Sequence, residues 1–279
     1  VAARHVVLAL ALAARVARAD DAPPAGDAPS PKPPGFFKLV VWDFAHVLSA
    51  PAHWDAGDWA IFTGVLGATA LVGAYDDELD DWARHTNNTW GDVGYAFEGL
   101  GDGRSFALLG AIGAGGLIFK DDTMKHVFVD GIIASGIAAG FVTPVLATAV
   151  GRARPNADEG AYHFTPGHGR SFPSGHVTQV WAVCSVIAAS YDSPVIKVLA
   201  YGGGAFGSFI RMRRRKHFGS DTLFAAAIGM SIGNTVVHYN RGLRSGTVDT
   251  VSGKPRRRVA IAPFVPDGGG VGVAVTLLP

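Results

Sequence analysis

Six apolar stretches constrain this chain more than any other feature: about Trp59 to Tyr75, Ser105 to Phe119, Val129 to Val150, His176 to Tyr191, Val195 to Ile210 and Thr222 to His238. Stretches of this length read as helices, and the intervals between them are rich in Gly, Pro, Asp and Asn, as connections should be. The 37 glycines, with many alanines, predict helices packed closely on one another. The expected fold is all-α, a six-helix bundle.

The flanks read differently. Arg4 and His5, the apolar run Val6 to Ala14 and the small-x-small site Ala17-Arg18-Ala19 make residues 1–19 a predicted export signal, with an uncleaved amphipathic anchor as the alternative. Residues 20–35 hold six prolines and form a predicted extended tether. The helical domain is assigned to 36–240 and the remainder, 241–279, to a basic loop and a terminal β-hairpin. In that hairpin Val259 to Phe264 and Val271 to Leu278 flank Pro266-Asp267-Gly268-Gly269-Gly270.

Composition excludes some classes. Cys184 is the only cysteine, so no intrachain disulfide and no cysteine-based zinc site can form, and its apolar run makes it a core residue. Formal charge is +1, and three arginines before residue 20 leave −2 for the rest, so only local clusters speak to partners and no nucleic acid is expected. Five of the six tryptophans (42, 54, 59, 82, 90) precede residue 91, which suits an N-terminal layer on the core or an interfacial belt at a membrane.

Most of the apolar stretches are at or under the length needed to cross a bilayer; Val129 to Val150 alone is comfortably long enough. A cleaved leader and six spans would put the polar loops inside the cell. The sequence therefore favours an exported bundle, soluble or membrane-associated, with a six-span inner-membrane protein as the alternative.

Chemistry gathers at helix ends. In Pro173-Ser174-Gly175-His176, Ser174 can cap the next helix while N–H groups around Gly175 face an anion; an ordinary Ser-Gly helix start is the plain alternative. His217 and Asp221 are four apart, a spacing that can set a carboxylate against one ring nitrogen and leave the other free as a nucleophile, although Asp221 could simply cap the helix that follows. Arg154, which closes a helix before Pro155, joins Arg152 and Arg211 as candidate bidentate donors to phosphate oxygens; a solvated surface group is the default for Arg152 and for Arg213 to Arg215. The run Arg211 to Lys216 can concentrate an anionic substrate or headgroup. By composition alone Pro-Ser-Gly-His would occur in such a chain roughly once in several hundred cases, so its order with the other segments outweighs each plain reading.

In these segments, about residues 147 to 221, the chain resembles the type 2 phosphatidic acid phosphatase and vanadium haloperoxidase family, whose signature is K-x6-R-P, P-S-G-H and S-R-x5-H-x3-D. The resemblance implies that family's six-helix core and, residue by residue, a metal-free phosphatase. Arg154 and Arg211 hold phosphate oxygens, Ser174 and the Gly175 backbone assist, His176 is the general acid, His217 the nucleophile and Asp221 its orienting partner. No cofactor is implied; vanadate would serve only as a phosphate mimic. The partner would be a phosphorylated small molecule, a phosphate monoester or a lipid or isoprenoid (di)phosphate, and no motif reports oligomeric state.

Two positions depart from the signature. Ile210 replaces the serine before Arg211, and Ala147 replaces the lysine, two turns before Arg154 on an expected common helix face, so that Arg152, Lys120 or Lys125 must substitute if a third cation is needed. Three alternatives are a vanadate-dependent haloperoxidase-like enzyme in the same pocket, a non-catalytic envelope protein of packed helices, and a metal site. The last would use His163, His168 and His176 or the acidic run Asp76, Asp77, Glu78, Asp80 and Asp81. Neither cluster has a recognised ligand spacing, and both read as solvated loops.

Overall fold

The computed structural model describes residues 34–85, 101 and 103–247, with the strand backbones of 258–264 and 272–278. The expected leader, most of the tether and Trp90 lie outside the described residues. Helices follow in the order α1 Phe36–Ser49, α2 Ala56–Gly73, α3 Asp76–His85, α4 Gly103–Ile118, α5 Asp122–Ile137, a π-helical turn Ala138–Val142, α6 Thr143–Val150, α7 Gly175–Ser190, α8 Pro194–Arg213 and α9 Gly219–Ser245. Strands β1 (Arg258–Phe264) and β2 (Gly272–Leu278) pair antiparallel, Arg258 opposite Leu278.

Local chemistry starts and stops these helices. Asp55 accepts from the Asp58 N–H while Asp58 reaches back to the Asp55 N–H, a capping box that opens α2. Asp121 caps α5 and Ser193 caps α8, where Pro194 occupies the first turn. Pro144 has no N–H to give, and the helical path widens into the π turn just before it, where Thr143 Oγ1 bonds the Ala138 carbonyl at 2.9 Å.

Three expectations are corrected. The acidic run is not a loop: it is α3, with Asp76, Asp77 and Glu78 in its first turn and Arg84 and His85 in its last, the distribution that the helix dipole favours. The basic loop does not begin at Arg241, because α9 continues to Ser245 and ends only where Gly246 adopts a left-handed conformation at φ 68°. Ala147 and Arg154 share no helix face, since α6 stops at the left-handed Gly151 and Arg154 is extended.

The core forms where α7 and α9 meet, with Val183, Val186, Val236 and Tyr239 packed against Val127, Ile133 and Ile137 of α5 and Leu109 of α4. Gly229 and Gly233 make the contact possible: a Cβ at Gly229 would lie 2.5 Å from the Thr178 carbonyl, and one at Gly233 2.7 Å from that of Ala182. Towards the C-terminal end of α9, Asn240 Nδ2 lies 3.0 Å from Asp43 Oδ2 and 2.9 Å from Asp130 Oδ1, tying α1 and α5 to α9.

The outside of the bundle is apolar. Ile61 and Leu71 on α2, Leu117 and Ile118 on α4, and Val195, Val198 and Leu199 on α8 are all exposed. Among the described residues two helical segments are long and apolar enough to cross a membrane, Ala56–Gly73 and Asp122–Val150, and only 6% of the first is buried. Trp54 and Trp59 cluster with Phe62 around the start of α2, whereas Trp82 lies on α3, beyond its end.

Candidate active site

Consecutive long helices bring the ends of α2, α6 and α8 and the starts of α7 and α9 together. The segment after α6 folds back on itself: Ala153 N–H bonds the His163 carbonyl, Thr165 N–H the Gly151 carbonyl and Ser171 N–H the Arg152 carbonyl. This return carries Ser171 to His217. The close α7–α9 contact sets Pro173-Ser174-Gly175-His176 beside the start of α9, where the Ser174 N–H bonds the Asp221 carbonyl at 3.4 Å.

His217 is only 3% exposed. Its Nδ1 lies 2.8 Å from the Ser171 carbonyl, so Nδ1 carries the hydrogen and Nε2 is left with its lone pair. Asp221 is farther, 3.8 Å from Nδ1, so a main-chain carbonyl, not the carboxylate expected to orient the ring, makes the hydrogen bond. The reason is competition for Asp221: Oδ2 already accepts from Ser171 Oγ at 2.5 Å and from the Phe218 N–H at 2.9 Å, and Oδ1 from Arg152 at 2.7 Å. Asp221 both caps α9 and faces the histidine, uniting the two readings of the sequence.

Burial pushes the His217 pKa well below the ordinary histidine range, and the positive charges of Arg211 and Arg154 and the neighbouring His176 push it the same way, against the Ser171 hydrogen bond. Arg211, Arg154 and His176 are thus within electrostatic reach of His217. Arg211 is buried at the end of α8, Arg154 is exposed beyond α6, and His176 is half-buried in the first turn of α7. Gly175 is the first residue of that helix, and Ser174 is wholly buried as its cap, Oγ 3.4 Å from the Val177 N–H. Gly101 lies against His176, since a Cβ there would stand 2.6 Å from that of His176.

Arg152 is neither a phosphate donor nor a solvated group. It is 4% exposed, and its guanidinium bonds the Ala161 carbonyl, Ser220 Oγ, Asp221 Oδ1 and Asp76 Oδ2 at 2.7 to 2.8 Å. Asp76 and Ser220, which complete this cluster, were missed by sequence reasoning. The only signal was an acid at the head of an acidic run, indistinguishable there from its solvated neighbours.

Other expected cations are also committed elsewhere. Arg213 bonds the Ala83 carbonyl and lies over Trp82, and Arg215 pairs with Asp80 and Asp158, so the run after Arg211 clamps α3. Lys125, near the start of Asp122–Val150, is about 33 Å along the helix from Ala147, and Lys120 precedes that helix, so neither can replace the lysine missing at Ala147, which is itself buried. Among the described residues no three His, Cys, Asp or Glu side chains are grouped to hold a metal ion. His163 instead faces Glu159 and Thr165.

Residues 131–244 match the family model described as the PAP2 superfamily. All the expected site residues, from Arg152 to Asp221, fall inside the matched residues, whereas Asp76 and Gly101 lie before them. PAP2 proteins are phosphoric ester hydrolases, and this is the enzyme class of the domain. Among solved structures, the chain is similar to the first transmembrane PAP2-type phosphatidylglycerolphosphate phosphatase from Bacillus subtilis, at 21% identity and a TM-score of 0.47, covering 74% of this chain and 95% of that one. It is also similar to LpxE of Aquifex aeolicus, at 23% identity and a TM-score of 0.47, covering 59% and 95%. No curated protein matches the chain.

Proposed function

We propose that this protein is a metal-independent phosphatase of the cell-envelope membrane that hydrolyses lipid or isoprenoid phosphates through a phosphohistidine. The observation that carries the reading is His217: a buried, neutral imidazole with Nδ1 pinned to a carbonyl and Nε2 presented among Arg154, Arg211 and His176. Nε2 attacks phosphorus as the ester P–O bond breaks, and His176 gives its proton to the leaving oxygen. Water, giving a proton back to His176, then attacks phosphorus, the N–P bond breaks, and inorganic phosphate leaves. Arg154, Arg211 and the N–H groups at the start of α7 stabilise the equatorial oxygens.

A lipid substrate suits the surface. The helices whose ends hold the site, α2 and α8, carry exposed apolar side chains along their length, and an 18-residue apolar helix only 6% buried is unlike the core helix of a soluble bundle. These features favour a membrane-embedded bundle over a soluble one.

Purified protein in detergent, with chelator present, should release phosphate from a generic ester and from a phosphorylated lipid, and His217→Ala should abolish both. Activity that survives His217→Ala, or that needs added metal, overturns the mechanism. Release of the protein from membranes by high salt alone overturns the location.

A further inference from the structure

We propose that Asp76 is a positioning residue for phosphoryl transfer: a second buried carboxylate, contributed by α3 from outside the matched PAP2 residues, that holds Arg152 against Asp221 and keeps the charge beside His217 negative. The inference rests on His217 being the nucleophile.

Asp76 and Asp221 are both 0% exposed, and the Arg152 guanidinium lies between them. Four of its five N–H groups are committed: Nε to the Ala161 carbonyl, Nη1 to Asp221 Oδ1 and Ser220 Oγ, and Nη2 to Asp76 Oδ2. The α3 helix sets two of these contacts, because Asp77 also takes the Ala161 N–H at 3.0 Å and so fixes the carbonyl that receives Nε. Ser220 closes the ring, its N–H on Asp76 Oδ1 at 3.0 Å and its hydroxyl on Oδ2. A guanidinium held from two sides in this way cannot swing off Asp221.

The charge balance matters as much as the geometry. Arg152 with Asp221 alone would be a neutral pair behind the nucleophile. The second carboxylate gives the trio one net negative charge in a water-poor site, where it stabilises the positive charge that the imidazole gains as the N–P bond forms. The charged and titratable groups facing His217 are Arg211 from α8, Arg154 from the segment after α6, His176 from α7 and Asp221 from α9. Among the described residues Asp221 supplies the only negative charge of this group, and it is backed by Asp76 through Arg152.

Asp76→Asn keeps the shape and removes the charge. In folded, detergent-solubilised protein, kcat should fall about tenfold or more with KM within about twofold of wild type, and the acid limb of kcat/KM should move to lower pH. Asp76→Glu should leave that limb in place. A merely structural role would lower the melting temperature but leave kcat and the limb of the folded fraction unchanged, and that result overturns the proposal. Should Asp76→Asn fail to fold, Ser220→Ala removes the hydroxyl joining Asp76 to Arg152: kcat should fall several-fold, and a wild-type kcat overturns the role. If His217→Ala is inactive while Asp76→Asn is fully active, only the role of Asp76 falls; if His217→Ala is active, the phosphohistidine reading falls first.

Discussion

The Nδ1 atom of His217 donates to the main-chain carbonyl of Ser171 across 2.8 Å, and that contact leaves Nε2 as the ring nitrogen with the lone pair. No side-chain substitution at Ser171 removes it. The tautomer of His217 is thus set by the backbone of the return loop that joins α6 to α7.

Because burial, Arg211, Arg154 and His176 together hold the His217 pKa well below its usual value, the nucleophile stays neutral in mildly acidic solution. The acid limb of kcat/KM should therefore lie below about pH 6.5, the value of a free histidine. Arg154→Gln removes one cation, so the limb should move to higher pH while KM rises. A limb that stays put would show that Arg154 does not act on His217.

A methyl group at Gly101 would stand 2.6 Å from the Cβ of His176 and displace the ring proposed to give its proton to the leaving oxygen. Gly101→Ala should lower kcat about tenfold or more for alkyl phosphates. A nitrophenyl phosphate, whose leaving group needs little protonation, should lose much less. Equal losses on the two substrates would remove His176 from the role of acid.

Gly229→Ala puts a methyl 2.5 Å from the Thr178 carbonyl and forces α7 away from α9. The cost should be about 1–3 kcal/mol, the range for overpacking a tight contact, seen as a lower unfolding midpoint. Activity should fall with it, since that contact sets His176 beside His217. Gly202→Ala, where a Cβ would meet nothing within 4 Å, is the control and should unfold like wild type.

Asp43 on α1 has its pKa raised to about 7, first by burial and then by the charge of Asp130, against the hydrogen bond from Asn240. The folded state therefore retains a proton that the unfolded chain has lost, and stability should decline as pH rises from about 4 to 7, by up to about 1.4 kcal/mol per unit. His217 acts in the opposite sense, its depressed pKa costing stability as pH falls below about 6.5. Unfolding of Asp43→Asn should lose the first dependence and keep the second; an unchanged profile would mean that Asp43 is ionised when folded.

The apolar stretches made the long helices legible, because a helix that must bury or embed a face carries that requirement in every turn. Helix α3 was hidden for the converse reason: it is polar almost throughout, and its one buried acid, Asp76, looks in sequence like Asp77 or Asp81. The motif residues were likewise legible as a set, since each is a residue type that phosphate chemistry requires. Their partners were not, and Arg152 shows why. Its chemistry suits a phosphate as well as it suits two carboxylates, and only the packing of α3 against the start of α9 surrounds it with Asp76, Ser220 and Asp221.

The sequence by itself determined a bundle of close-packed apolar helices and the residues available for the reaction: two histidines, Asp221, and arginines at positions 154 and 211. The tertiary structure decided what each one faces. It turned Arg152 inward, took the hydrogen bond of His217 from Asp221 to the Ser171 carbonyl, and brought Asp76 and Gly101 to the site from before the motifs. A main-chain carbonyl is the same at every residue, and a charged side chain is satisfied by whichever partner burial leaves within reach, so these choices exist only once the helices are packed.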